Sequence, residues 1–130
     1  MVQNPIRHSI IFTGHNAIGE FNEDDGSFHQ YTHGVKFMED GLSIKTAKSS
    51  FYIANEQMII RVSLDNYEVN TIFNAENAYQ IDEIYSSEID DDLFFTAVQY
   101  SDGRRILGKV SDSNIVIYDI AGDFEVIGKL

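Results

Sequence analysis

Apolar residues recur at every second position in short runs, and each run stops at a cluster of Gly, Asp, Asn or Ser. Successive side chains of an extended chain point to opposite faces, so this alternation predicts strands with one buried face. Met58, Ile60, Val62 and Leu64 fall on one side and Arg61 and Ser63 on the other, which reads as a half-buried strand. Leu93-Phe94-Phe95-Thr96-Ala97-Val98 is apolar on both faces and predicts a central strand covered on both sides. Ser101-Asp102-Gly103 then supplies a hairpin turn into Arg105-Ile106-Leu107-Gly108-Lys109-Val110. A second hairpin is expected from residues 115–120, the turn Ala121-Gly122-Asp123, and residues 124–130. Asp24-Asp25-Gly26, Asp40-Gly41 and Asp65-Asn66 mark further turns. The one proline, Pro5, lies outside every predicted strand.

Residues 75–89 leave two periods open. Ala78, Ile81, Ile84 and Tyr85 fall at helical spacing behind Asn74, a residue able to cap a helix. Tyr79, Ile81, Glu83 and Tyr85 equally make one face of a strand. The fold class expected is all-β, with one short helix around 75–90 as the open alternative. The architecture is an antiparallel meander of hairpins, in blade-like or sandwich-like sheets. A chain of 130 residues suits a single domain spanning 1–130, large enough to bury its own core.

An internal repeat is visible. Residues 16–22 (Asn-Ala-Ile-Gly-Glu-Phe-Asn) align with 57–63 (Gln-Met-Ile-Ile-Arg-Val-Ser) at an offset of 41. The same offset sets Ile10-Ile11 on Phe51-Tyr52 and Asp24-Asp25 on Asp65-Asn66. Residues 105–111 follow 57–63 at an offset of 48. A period in the forties with three or four strands per unit resembles the blades of a β-propeller. No Trp-Asp or Gly-His blade signature accompanies it, and three blades fall short of the 4–8 of closed propellers. Such a chain completes a ring by oligomerising or forms an open curved sheet or sandwich, and the latter is the expectation.

Composition adds an electrostatic constraint. The chain has 21 Asp and Glu against 9 Lys and Arg, a formal net charge of -12. That charge opposes direct binding to nucleic acid or an anionic membrane. From Val62 to Gly103 there is no Lys or Arg, while Glu76, Asp82, Glu83, Glu88, Asp90, Asp91 and Asp92 crowd the centre of that stretch. With no cysteine, disulfides and thiolate chemistry are excluded. The polar start Met1-Val2-Gln3-Asn4-Pro5 has no secretory pattern, and no apolar run nears the ~18 residues of a membrane helix. The expectation is a cytoplasmic protein.

Candidate chemistry is sparse. His29 and His33, four apart on a strand, would stand about 13 Å from each other, too far to share one metal ion. Asn22-Glu23-Asp24-Asp25-Gly26 and Glu88-Ile89-Asp90-Asp91-Asp92 lack the ligand spacing of an EF-hand. No nucleophile elbow and no phosphate-cradling glycine loop is present. These readings give no cofactor, no metal and no enzyme. The function expected is recognition of a protein: an inhibitor or immunity-type protein that neutralises a basic toxin or nucleic-acid-processing enzyme by electrostatic capture. Glu83, Glu88, Asp90, Asp91 and Asp92 are the expected charged contacts, with Tyr79 and Tyr85 as anchors. The alternative is a self-assembling β scaffold of blade-like units, joined through an edge strand such as residues 124–130.

Overall fold

The structure is a computed structural model that describes residues 2–4, 8–14, 17–32, 43–111, 114–118, 120, 124 and 126. Strands joined by short turns pair with their sequence neighbours, and the described residues form three four-stranded antiparallel meanders in chain order. The first holds β1 (Val2–Asn4), β2 (Ser9–Gly14), β3 (Ala17–Asn22) and β4 (Phe28–Thr32). The second holds β5 (Ser43–Thr46), β6 (Ser50–Ala54), β7 (Met58–Ser63) and β8 (Val69–Asn74). The third holds β9 (Tyr79–Tyr85), β10 (Leu93–Gln99), β11 (Arg105–Ser111) and β12 (Asn114–Tyr118). None of the described residues is helical, so the helix alternative for 75–90 gives way to β9. No described helix is therefore long and apolar enough to cross a membrane.

The sheets stack face to face, with the second in the middle. Phe51, Ile53, Ile60, Val62, Leu64 and Tyr67 pack with Ile11 of the first sheet. On the other side Tyr52, Ala54 and Ile59 pack with Ile81, Ile84, Leu93, Phe95, Ala97, Ile106 and Val110 of the third. Covered on both faces, β6 buries all five of its residues. The opening strands of the sheets also neighbour one another, β1 beside β5 and β5 beside β9. Met58, Ile60, Val62 and Leu64 share one face as the alternation predicts, with Ile59 turned to the opposite core.

The doubly covered strand is thus β6, and the strand at 93–98 differs from expectation. Leu93, Phe95 and Ala97 are fully buried against the second sheet; on the outer face Thr96 is also buried, whereas Phe94 and Val98 are only half-buried. The third sheet ends the stack, so no other sheet of the described residues lies over its second face, where the Arg105 guanidinium donates to the Phe124 carbonyl at 3.3 Å.

Two β-bulges explain where strand periodicity fails. In β9 the pairing with β10 runs Ile84 to Phe95 and Glu83 to Thr96, then skips Asp82 to match Ile81 with Ala97. The extra residue lets Ile81 and Ile84 face the same core at a spacing of three, which imitates a helix. It also overturns the single strand face expected for this segment: Tyr79 and Ile81 point inward, while Glu83 and Tyr85 point outward. A matching shift in β8 leaves Ile72 unpaired beside Phe73, and both pack on the core between the second and third sheets.

The repeat is structural. Ile11 pairs with Glu20 in the first sheet and Tyr52 with Arg61 in the second, each member displaced by 41 residues. The turns match too: Gly26 donates to the Asn22 carbonyl at 3.0 Å and Tyr67 to the Ser63 carbonyl at 2.8 Å. Both take a left-handed conformation, φ 71° at Gly26 and 56° at Tyr67. Glycine bears that freely, and Tyr67 bears it with its phenol anchored between sheets. The turn at Ser101-Asp102-Gly103 forms as expected, with Gly103 at φ 71°. Asp40-Gly41, Pro5 and the turn 121–123 lie outside the described residues, as does most of the expected strand 124–130.

Candidate functional site

Because each meander runs in the same sense, alternate connections gather at one end of the stack. Hydrogen bonds within and between sheets fix this. Lys48 donates its backbone N–H to the Asp90 carbonyl at 3.0 Å, and Leu64 donates to the Ser49 carbonyl at 3.0 Å. In the first sheet Glu23 N–H reaches the His8 carbonyl at 3.2 Å. Asn4 in turn donates its side-chain amide to the Leu64 carbonyl at 3.1 Å. The connections 23–27, 47–49, 64–68 and 86–92 therefore share one end. They carry Glu23, Asp24, Asp25, Asp65, Glu68, Glu88, Asp90, Asp91 and Asp92, against Lys48 among the described residues of the same loops. Connections 55–57, 75–78 and 100–104 meet at the opposite end, where Ala75 donates to the Gln57 carbonyl and Ile81 to that of Glu56.

The loop 86–92 is a clasp as well as a charged surface. The Asp91 carboxylate accepts the Ser49 backbone N–H at 2.7 Å and also the Ser49 hydroxyl. The Tyr52 hydroxyl donates to the Asp91 carbonyl, and burial pushes that phenol's pKa up against the opposing pull of Arg61. Asp92 accepts the Ser111 hydroxyl at 2.8 Å and lies 3.7 Å from the Lys109 ammonium. Asp90, Asp91 and Asp92 are half-buried, whereas Glu88 is exposed. On the first sheet Asp24 and Asp25 are exposed, and hydrogen bonds from Ser27 hold the Asp25 carboxyl below the usual carboxylate range.

The remaining expected contacts separate. Glu83 lies where β9 neighbours β5, accepting the N–H of the next residue, Ile84, at 3.0 Å and the Ser43 hydroxyl at 2.8 Å. Tyr85 stands beside Phe94 on the outer face of the third sheet, at the acidic end of β9. Tyr79 begins β9, roughly 20 Å away along the strand. It packs against Phe73, ring centroids 6.2 Å apart, and lines a cleft of about 400 Å³ at the opposite end. Asn77, Gln99, Tyr100 and Ser101 complete the polar lining, which carries amides and hydroxyls but no carboxylate or imidazole. The structure thus joins Glu88 and Asp90–92 with Glu68, from the start of the stretch free of Lys and Arg, and with Asp24 and Asp25, which lie outside it. The offset of 41 held that signal, since it set the turn at Asp24 on the turn at Asp65.

A buried polar network sits behind this end, between the first and second sheets. Glu20 accepts the Ser9 hydroxyl at 2.7 Å and the Tyr67 hydroxyl, and Asn4 donates to the Tyr67 oxygen at 2.8 Å. Burial, then the hydrogen bond to Glu20, pushes the Tyr67 phenol up to about 12. Each polar side chain of this network has a hydrogen-bond partner, as a buried group requires. No group of three or more His, Asp or Glu among the described residues could hold a metal ion. His15 and His33 lie outside the described residues, and His29 is on β4 opposite Glu20.

No protein-family model, curated protein sequence or solved structure matches this chain.

Proposed function

We propose that the chain is a non-enzymatic binding protein whose acidic end receives a basic surface of another protein, in the manner of an inhibitor or immunity protein. The observation that carries this reading is the gathering of carboxylates from all three sheets at one end. A field built from several loops steers a cationic partner and fixes its orientation, with the largest effect on association rate. The anchored loop 86–92 favours the same reading, because a clasp held by Ser49, Tyr52 and Ser111 presents its charges in a fixed arrangement. A preorganised surface spends less conformational entropy on binding. A toxin or nucleic-acid-processing enzyme offers the matching chemistry, a cationic cleft shaped for phosphates.

The test compares the two ends at equal charge. Association of the full chain with an immobilised lysine-rich peptide is measured at low salt. Asp24→Asn, Glu68→Gln and Glu88→Gln together are expected to slow association at least severalfold. Glu56→Gln, Glu76→Gln and Asp102→Asn, which remove the same charge from the opposite end, are expected to slow it much less. Equal slowing by both sets would make the charge a diffuse property of the surface and defeat the reading. The clasp itself predicts a different outcome for Asp90, Asp91 and Asp92. Their replacement by Asn slows association severalfold and also lowers stability by ~1 kcal/mol, read by denaturant titration, since charge-assisted hydrogen bonds to Ser49 and Ser111 are weakened.

A further inference from the structure

Each sheet has two unlike faces, and the repeat tells them apart. In the second sheet, Phe51, Val62 and Val69 stand abreast, with Ile53 beside Ile60 in the next row. This front face packs on the back of the first sheet, represented by Ile11. Subtracting the repeat offset of 41 gives Ile10, Phe21, Phe28, Phe12 and Gly19, which stand in the same register on the first sheet. No other sheet of the described residues lies against that equivalent front. Phe12, Phe21 and Phe28 are 40%, 37% and 60% exposed, and the Phe28 ring lies across Gly19, where an added Cβ would come within 2.8 Å of it. At the other end of the stack, the back of the third sheet sets Phe94, Lys109 and Val116 abreast, and Thr96, Leu107 and Tyr118 beside them. Val116 and Tyr118 are 47% and 42% exposed. Here lies the outer face of the strand that the sequence marks as apolar on both sides.

We propose that the front of the first sheet packs on the back of the third sheet of a second copy of this chain, and that the reciprocal contact closes a two-copy ring of six sheets. The occupant follows from continuity: the molecule already makes this front-to-back contact twice, between its first and second and its second and third sheets. A further contact of the same kind carries the stack onward across the copy boundary. Front-to-back contacts either close into a ring or run on as a filament. Rings of blade-like sheets typically hold 4–8, and among multiples of three only six lies in that range, so two copies close it. The opening strands β1, β5 and β9 already neighbour one another in sequence order, as sheets arranged around a common axis require. The twofold axis of such a ring runs through its centre, so both acidic ends face the same side. Added salt screens their repulsion and tightens the ring, opposite to its effect on capture of a basic partner.

The test is the sedimentation mass of the full chain at moderate salt, with four single variants. Phe28→Lys and Phe12→Lys alter the front, and Val116→Lys and Tyr118→Lys alter the back. Lysine lowers the net negative charge, so a loss of association does not come from added repulsion between the two acidic chains as wholes, and circular dichroism confirms that each variant is folded. The expected mass of the wild type is twice the 14.8 kDa of one chain. Each variant is expected to fall to one chain's mass, and an equal mixture of Phe28→Lys with Val116→Lys to recover a pair through the one intact contact. A wild type of single-chain mass overturns the proposal, as does a ladder of larger masses. Back variants that still pair would show front meeting front, and would overturn it too.

Discussion

Phe95→Ala is expected to cost ~3–5 kcal/mol, the range for emptying a large aromatic site in a packed core. The ring is fully buried between the second and third sheets, its centroid 4.9 Å from that of Phe73. The outer end of the ring also lies over Gly108 on the paired strand, where an added Cβ would come within 2.2 Å of a ring atom. Gly108→Ala therefore has no room unless the ring moves, and Phe73 stands in the way, so it is expected to cost ~1–3 kcal/mol alone. The two changes are coupled. With Phe95 truncated, the methyl that Gly108→Ala introduces enters vacated space, so the double variant should be less destabilised than the sum of the singles. Urea titration of the three variants measures this. A loss below about 1 kcal/mol for Phe95→Ala would remove the ring from the interface, and additive costs would deny that the ring and Gly108 share one space.

Tyr67→Phe is expected to cost ~1–3 kcal/mol, because the buried Glu20 carboxylate loses a hydroxyl donor and the Asn4 amide loses an acceptor. The same change alters the response to alkali. Burial and Glu20 raise the phenol from its ordinary 10.0 to about 12, so the folded state holds the proton more tightly than the unfolded state. The resulting stabilisation is complete below pH 10 and is lost as pH rises through about 12. Wild-type stability should fall across that window, and Tyr67→Phe should fall less steeply. Tyr52, raised in the same direction, contributes the residual slope. Denaturant titrations at stepped pH make the comparison, and identical slopes would place the Tyr67 phenol in water.

Strands and turns were legible wherever one face of a sheet is buried and the other is not. The run from Met58 to Leu64 shows this, as do the glycine turns at Gly26 and Gly103. Legibility failed at β9 because a bulge breaks the period of two, and Ile81 and Ile84 then imitate a helix. It failed differently at β10. The apolar outer face there predicts cover, but cover depends on which layer lies beyond, a property no single strand encodes. The acidic loop 86–92 was visible as a run. Its clasp was not, because Ser49, Tyr52 and Ser111 approach it only through the stacking of sheets. Glu20 and Tyr67 likewise meet across two sheets, with nothing in either local sequence to announce the pairing. The offset of 41 was the most informative signal. It carries strand register, turn conformation and the identity of sheet faces together, and it brings Asp24 and Asp25 to the same end as Asp65.

The most direct test of the acidic end is magnetic resonance on the isotope-labelled full chain, titrated with a lysine-rich peptide at low salt. Shifts are expected to concentrate in the loops 23–27, 64–68 and 86–92 and to vanish as salt rises, since exposed charges beyond a Debye length are screened. Shifts spread evenly over both ends, or centred on loops 55–57, 75–78 and 100–104, would contradict the account.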